Sequence, residues 1–288
     1  MKRIIALLGL LGILLSGCGY QNDPADIAAT TLPVYEFTSL LCRGTGLRVT
    51  RLVTEGVSCL HDYALNVNQV RAVESATLVV ISGAGLEVFM GDLLTGKHTL
   101  DAGAGIPLLE SCQDHEDHHD HSHDADPHIW LSPENARIMA QNICAGLIAQ
   151  YPRHKAVFEE NLAALLQDID DLILYGQQQL SRLSGKQIIT FHDGFSYLAD
   201  HYGLEIVKAM EEEYGSCASA AELKQIIDLV RDQKISAIFT ETNGSTSAAG
   251  IIAAETGVPI YALDMAMSGE SWFAAMYHNI DILKEALG

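Results

Sequence analysis

The sequence has little positive charge. It contains 17 lysines and arginines against 37 aspartates and glutamates, which gives a formal net charge of −20. Proteins that bind nucleic acid need a basic patch for the phosphates, so this balance argues against a nucleic-acid partner. An acidic surface is compatible with a cationic cargo, but charge alone establishes only solubility.

Long apolar runs are also lacking. The run Ile4–Leu15 is about a dozen residues long, whereas a membrane-spanning helix needs roughly 20. It follows the positively charged start Met1–Arg3 and ends in the small residues before Cys18, which is the pattern of a secretory signal peptide. We therefore predict that residues 1–17 are a signal peptide and that the protein is exported.

Cysteines are few, and none are spaced as a zinc-binding pair. No Cys-x-x-Cys occurs, so a thiolate zinc site is not indicated. Apart from Cys18 the number of cysteines is odd, so at least one stays unpaired in an oxidising compartment. The five that remain are Cys42, Cys59, Cys112, Cys144 and Cys217, and the sequence leaves their pairing open.

What the chain does contain is an alternation of strand-like and helix-like segments, typical of parallel α/β sheets. The predicted strands are Leu47–Val53, Ala76–Ser82, Gln187–Phe191, Glu205–Met210, Ser236–Thr240 and Pro259–Leu263. Between the two groups, Pro152–Leu183 carries apolar residues at helical spacing and predicts one helix about 45 Å long. A helix of that length would join two lobes.

The predicted fold class is therefore α/β, with two lobes that each contain a mainly parallel sheet flanked by helices. We place the N-terminal lobe at residues 18–150, the linker helix at 151–184 and the C-terminal lobe at 185–288. Within the first lobe, residues 113–126 contain no apolar residue larger than alanine, which predicts a mobile loop.

Four potential metal ligands follow a predicted strand or precede a helix. They are His61, His128, His192 and Asp264. Ligands of open α/β sheets bind beyond the carboxyl ends of the strands, and two of the four come from each lobe, so they would meet in the cleft between the lobes. Taken singly, each histidine is more simply a solvated or hydrogen-bonded side chain, and Asp264 a helix cap.

The motifs around these residues resemble those of the zinc- and manganese-specific solute receptors of bacterial ABC importers. The most diagnostic string is Asp126-Pro127-His128-Ile129-Trp130-Leu131. Further similar segments are Thr31–Phe37, His61–Tyr63, Gly85–Glu87, His192–Leu198, Tyr202–Leu204, Leu263–Asp264 and Met276–Asn279. A departure follows the first histidine, where Asp62-Tyr63-Ala64-Leu65 replaces the family's usual Ser-Tyr-Glu-Pro. The resemblance covers nearly the whole chain after the signal peptide and implies the two-lobed fold.

By this resemblance the metal ligands are His61, His128, His192 and Asp264, and Glu241 is an acid that borders the cleft without binding the metal. Three imidazoles and one carboxylate suit tetrahedral Zn²⁺, whereas oxygen-rich sites favour Mn²⁺. Manganese-selective members of the family tend to carry glutamate in place of the third histidine, so His192 points to zinc.

The resemblance implies a monomeric receptor that binds Zn²⁺ outside the cytoplasmic membrane and passes it to an ABC permease, without enzymatic activity. Leu15-Ser16-Gly17-Cys18 resembles a lipobox, which makes Cys18 the predicted lipid anchor at the outer face of that membrane, or in the periplasm where there are two membranes. A Mn²⁺ or Fe²⁺ receptor on the same fold is the nearest alternative. From other classes we keep a zinc-dependent hydrolase, although no His-Glu-x-x-His is present, and an adhesin-like surface lipoprotein.

The mobile loop has a function of its own in this interpretation. Its histidines are His115, His118, His119, His121 and His123, interleaved with acids that raise the local cation concentration. We expect a weak, multivalent collector that passes Zn²⁺ toward His128, or a sensor of high zinc. The alternative is a solvated acidic loop with incidental histidines.

Deletion of residues 113–124 is predicted to leave one tight zinc site, because the four cleft ligands lie outside the deleted segment. Competition with a chromophoric chelator, on the intact and shortened chains side by side, measures this. Loss of the tight site together with the loop would contradict the ligand assignment.

Overall fold

The architecture comprises two four-stranded parallel sheets. A computed structural model of the protein describes residues 25–54, 56, 60, 63–110, 125–210 and 219–288. The first sheet, in the order β2-β1-β3-β4, contains β1 (Ile27–Ala29), β2 (Val49–Arg51), β3 (Leu78–Ile81) and β4 (Thr99–Asp101). The second, in the order β6-β5-β7-β8, contains β5 (Gln187–Thr190), β6 (Glu205–Ala209), β7 (Ile238–Glu241) and β8 (Ile260–Leu263). The predicted α/β class with two parallel-sheet lobes is confirmed.

Helices flank both sheets. The α-helices of the described residues are α1 (Leu32–Leu41), α2 (Val67–Ser75), α3 (Pro133–Gln150), α4 (Lys155–Leu180), α5 (Ser196–Tyr202), α6 (Ala220–Gln233), α7 (Ser247–Thr256) and α8 (Trp272–Leu287). Shorter 3₁₀ helices cover Leu86–Leu94, Ile129–Leu131 and Pro152–His154. Among these helices, none has both the length and the apolar composition that crossing a bilayer requires.

The linker helix is shorter than predicted. The segment predicted as one helix starts with the 3₁₀ turn Pro152–His154, and α4 then runs for 26 residues, about 39 Å. Gly176, which weakens the helical pattern in the sequence, has a structural reason for being glycine. A Cβ at this position would overlap the ring of Tyr202 on α5, so glycine lets the two helices pack closely.

One apolar core runs through both lobes and the linker. It includes Ile27 of the first sheet, Leu172 of α4 and Leu263 of the second sheet. Two smaller clusters cover the opposite faces of the sheets, and because strand residues alternate between faces, Ala28 belongs to one of these clusters while Ile27 belongs to the main core. The lobes are therefore joined by packing as well as by the linker helix.

Two buried tryptophans connect the lobes by hydrogen bonds. The indole of Trp130 donates to the carbonyl oxygen of Met265 at 2.8 Å, and the indole of Trp272 donates to the carbonyl oxygen of Trp130 at 3.0 Å. Trp130 follows the first sheet, whereas Met265 and Trp272 follow the last strand of the second sheet. The chain just after β8 is thus bonded to the N-terminal lobe.

The structure describes two of the five cysteines whose disulfide pairing the sequence leaves open. Cys42 and Cys144 are buried and free. Burial raises the pKa of the Cys42 thiol to about 12, so this thiol stays protonated and unreactive at neutral pH. The other three, Cys59, Cys112 and Cys217, lie outside the described residues.

A buried carboxylate, that of Glu87, bonds the ends of two neighbouring strands at the topological switch point of the first sheet. Glu87 Oε1 accepts hydrogen bonds from Thr30 Oγ1 and from the Ser82 amide, both at 2.7 Å, and Oε2 accepts one from the Gly83 amide at 3.1 Å. Thr30 follows β1 and Ser82 follows β3, so Glu87 ties the ends of the two strands between which an open sheet binds ligands. Burial outweighs these bonds and raises the pKa of Glu87 to about 7.

Replacement of Glu87 by glutamine is predicted to destabilise the fold. The new NH₂ group would face hydrogen-bond donors, and a buried polar group without a partner costs about 1–3 kcal/mol. We expect Tm to fall by about 2–4 °C per kcal/mol, measured by circular dichroism. The exposed Glu270→Gln variant is the control, and an unchanged Tm in Glu87→Gln would contradict this role.

The same substitution should change the pH dependence of stability. Since the pKa of Glu87 is raised in the folded state, the native chain binds this proton more tightly than the unfolded chain, and the stability it contributes is lost as pH rises from about 4.5 through about 7. Glutamine does not titrate. The Tm difference between wild type and Glu87→Gln should therefore narrow across this range.

Candidate metal site

Two of the predicted ligands meet between the lobes. His128 lies just before the 3₁₀ helix Ile129–Leu131 of the N-terminal lobe, and His192 lies two residues after the end of β5. Their Nε2 atoms are 3.5 Å apart, and both side chains are buried, with residue exposures of 4% and 8%. The fold therefore brings together two imidazoles that are 64 residues apart in sequence.

A buried carboxylate fixes the orientation of His128. Asp126 Oδ1 lies 2.8 Å from His128 Nδ1 and also accepts a hydrogen bond from the His128 amide at 2.8 Å. Asp126 is 1% exposed, and its other carboxylate oxygen has no hydrogen-bond partner among the described residues. A negative charge is thus held against the far side of the imidazole.

A second carboxylate does the same for His192. Glu241, the last residue of β7, places Oε1 3.0 Å from His192 Nδ1. This contact follows from the topology, because β5 and β7 are parallel neighbours and their carboxyl ends lie side by side. Gly194 leaves space on the other side of the ring, where a Cβ would lie only 2.9 Å from His192 Nε2.

The two carboxylates determine which nitrogens can bind a metal. An ionised carboxylate only accepts hydrogen bonds, so a neutral imidazole opposite it would carry its proton on Nδ1 and present a lone pair on Nε2. The lone pairs of His128 and His192 then converge, an arrangement that favours a cation between them. Two nitrogens bound to one tetrahedral Zn²⁺ at 2.0–2.1 Å would be about 3.3 Å apart, close to the 3.5 Å observed.

Asp264 lies at the same end of the second sheet as His192, but different contacts hold it in place. It follows β8, and its backbone amide and carbonyl are bonded at 2.7 Å each to the side chain of the fully buried Asn279. Its own Oδ1 accepts a hydrogen bond from the Ala266 amide at 2.7 Å, so part of this carboxylate caps the turn after the strand. The described residues form no cluster of three or more metal-binding side chains, and Asp264 as a ligand stays a prediction.

The remaining predicted residues lie outside the described part of the chain. They are His61, the loop residues His115, His118, His119, His121 and His123, and Cys18. Glu241, the accessory residue predicted to border the cleft, contacts His192 directly.

Two residues of this site carried no individual role in the sequence analysis. Asp126 and Asn279 were recognised only as parts of longer strings. For Asp126 the signal was its spacing, because an aspartate two residues before a histidine can bond both its amide and its ring. Asn279 lies 15 residues after Asp264, and only the packing of α8 against β8 reveals the contact.

Comparison with known proteins connects this geometry to one family. A family model described as zinc-uptake complex component A, periplasmic, matches residues 27–286. The zinc-binding lipoprotein AdcA of Streptococcus pneumoniae is 31% identical over 99% of this chain, but the match spans only 61% of AdcA. The high-affinity zinc uptake system protein ZnuA of Bacillus subtilis is 28% identical over 93% of this chain and 89% of its own length.

Solved structures agree with the fold. A crystal structure of ZnuA superposes with a TM-score of 0.79 at 29% identity, covering 92% of this chain and all of that chain. The Zn(II)-bound ZnuA-like domain of Streptococcus pneumoniae AdcA superposes with a TM-score of 0.76 at 29% identity, covering 92% and 99%. The two-lobed arrangement is thus shared over almost the whole described chain.

Replacement of Glu241 by alanine is predicted to weaken metal binding at His192 by about 10- to 100-fold, because a carboxylate behind a ligating imidazole fixes its tautomer and orientation. Zinc affinity by chelator competition measures the effect. Glu285→Ala, at an exposed position of α8, is the control. Equal affinities of the two variants would show that the contact with His192 does not support binding.

Proposed function

This chain belongs to the zinc-uptake complex component A family, and from that membership we propose that it is a receptor that binds Zn²⁺ outside the cytoplasm and delivers it to an ABC importer. Two relatives of the chain, AdcA of Streptococcus pneumoniae and ZnuA of Bacillus subtilis, are named for zinc binding and zinc uptake. The cargo, the partner and the ligand set of this chain are part of the proposal.

The observation that carries the proposal is the pair of Nε2 atoms 3.5 Å apart, each on an imidazole backed by a buried carboxylate. The separation suits two ligands of one tetrahedral Zn²⁺ ion, and nitrogen ligands favour zinc over the harder Mn²⁺. Two carboxylates behind the imidazoles strengthen them as ligands.

We propose that His61 and Asp264 complete the coordination around His128 and His192. Asp264 lies at the carboxyl end of the second sheet, where His192 also lies, and Asn279 fixes its backbone. The proposed lobe boundaries are 18–150 and 185–288, with the linker at 151–184. α4 and the start of β5 at Gln187 are consistent with that division.

Export and anchoring are proposed from the sequence together with the relatives. The AdcA relative is named a lipoprotein, and the matching family is described as periplasmic. With the lipobox-like sequence before Cys18, these names support an extracytoplasmic receptor held at the membrane by a lipid on Cys18. Residues 113–124 would then collect Zn²⁺ near the cleft, whereas Ala125 and Asp126, which the sequence places in the same mobile loop, are held by bonds to Glu110 and Leu109.

A binding function is favoured over a hydrolytic one by the position of Glu241. A zinc hydrolase needs an open coordination position and a general base directed at the bound water. Glu241 is 5% exposed and directed at His192 Nδ1, behind the proposed ligand. This carboxylate is therefore placed to orient an imidazole.

The test is metal competition on purified residues 19–288 with Zn²⁺, Mn²⁺ and Fe²⁺. We expect one tight site for Zn²⁺, and a loss on the order of 100-fold in His192→Ala, the upper end of the range for groups that only orient a ligand, because here a ligand is removed. His278→Ala, which changes an exposed histidine of α8, is the matched control and should bind like the wild type.

The other outcomes separate the alternatives. A preference for Mn²⁺ or Fe²⁺ would keep the receptor and change its cargo. Absence of any tight site would remove the receptor proposal and favour the adhesin-like interpretation. Turnover of an ester or peptide panel that depends on bound zinc would favour the hydrolase.

A further inference from the structure

Tyr197 occupies a position between the two histidine segments that the proposed function does not use. It lies on α5, five residues after His192, and its hydroxyl reaches the N-terminal lobe. There it donates a hydrogen bond to the carbonyl oxygen of Asp126 at 3.1 Å and accepts one from the Leu109 amide at 3.0 Å. One buried side chain of the His192 segment is thus bonded to the residue that orients His128.

The Tyr197 hydroxyl is suited to act as a hydrogen-bond donor and as an acceptor at the same time. A neutral phenol donates one hydrogen bond and accepts others, and both functions are used here. Burial raises the pKa of Tyr197, and the nearby Asp126 raises it further, so the group keeps its proton at physiological pH. Both hydrogen bonds are thus made by a neutral phenol.

We define the neck of the histidine-rich segment as the residues on either side of it, Leu109, Glu110, Ala125 and Asp126. The two hydrogen bonds of the Tyr197 hydroxyl connect the two sides of this neck. The Asp126 amide donates to the Leu109 carbonyl oxygen at 2.9 Å, and Glu110 and Ala125 form an antiparallel bridge. The Tyr197 hydroxyl bonds both sides of this bridge from the opposite lobe. The contacts that hold Asp126 here all come from described residues on either side of 111–124 and from Tyr197.

We propose that Tyr197 is a positioning residue for the metal site, whose hydroxyl fixes Asp126, and through it His128, at the correct separation from His192. This proposal rests on the proposed zinc site. Two links connect the histidines: the hydroxyl of Tyr197, five residues after His192, bonds the carbonyl oxygen of Asp126, and the Asp126 side chain lies 2.8 Å from the imidazole of His128. Without the hydroxyl, the His192 segment loses its hydrogen bonds to Asp126 and Leu109.

The chain provides a matched control on the same helix. Tyr202 is also a buried tyrosine of α5, but its hydroxyl has no hydrogen-bond partner among the described residues. Tyr197→Phe removes two hydrogen bonds and keeps the ring, whereas Tyr202→Phe removes a hydroxyl that makes none. A general effect of losing a buried hydroxyl would appear in both variants.

The experiment measures Zn²⁺ affinity by chelator competition and the visible absorption of the Co²⁺-loaded protein, which reports ligand geometry. Tyr197→Phe should weaken zinc binding by about 10-fold, the lower end of the range for groups that orient ligands, and should alter the Co²⁺ spectrum. Tyr202→Phe should match the wild type in both. Wild-type affinity and spectrum in Tyr197→Phe, while His192→Ala loses tight binding, would overturn the proposal and leave the zinc receptor standing.

A double-mutant cycle separates positioning from simple stabilisation. If Tyr197 acts through Asp126, Tyr197→Phe should have little further effect on zinc affinity in an Asp126→Ala background, whereas two independent effects would add and would overturn the proposal. If the Tyr197→Phe variant does not fold, hydrogen exchange of the Leu109 amide in the wild type takes the place of that variant. We expect this amide to exchange more slowly when Zn²⁺ is bound. An exchange rate that Zn²⁺ does not change would overturn the proposal. A wild-type chain without a tight site would instead reject the zinc receptor itself.

Discussion

The site depends on the pairing of each cleft imidazole with a buried carboxylate. Asp126 and Glu241 come from different lobes, yet each holds the Nδ1 of one histidine and so directs the Nε2 of that histidine toward the other. The rest of the structure supplies the conditions for this pairing. Parallel strands bring the end of β7 beside the end of β5, and a two-residue spacing lets Asp126 bond both the backbone and the ring of His128.

The separation of the two histidines also depends on contacts between the lobes outside the site. The lobes share one apolar core with α4, and the chain after β8 is fastened to the N-terminal lobe. Arg51 Nη1 donates to the Gly269 carbonyl oxygen at 2.7 Å, and Glu36 accepts hydrogen bonds from Ser271 Oγ at 2.9 Å and from the Trp272 amide. Because these contacts restrict rotation of one lobe against the other, the geometry is largely set before any ligand binds, and we expect at most a modest closure of the cleft.

The sequence was sufficient for the fold class, because β-branched runs alternating with helical periodicity leave few alternatives to a parallel α/β sheet. The boundaries were less accurate: the predicted strand Leu47–Val53 shrinks to Val49–Arg51, since only three residues pair with β1. Glu241 was recognised because it lies at a strand end. The roles of Asn279 and Tyr197 were not recognised, because each depends on a contact between segments that no periodicity encodes. The role of Asp126 was missed although its two-residue spacing from His128 is visible in the sequence.

The same carboxylates explain why a cation suits this position better than a neutral ligand. In each carboxylate one oxygen contacts an imidazole. The other oxygen, Oδ2 of Asp126 and Oε2 of Glu241, has no hydrogen-bond partner among the described residues. Burying a charge that is only partly compensated is costly, and at low dielectric the attraction of a nearby divalent cation is strong. Zn²⁺ between the Nε2 atoms would be attracted by both carboxylates through the imidazoles. In the proposed receptor, part of the affinity for Zn²⁺ would therefore come from charges that the fold places before the ion binds, with little further motion of the chain.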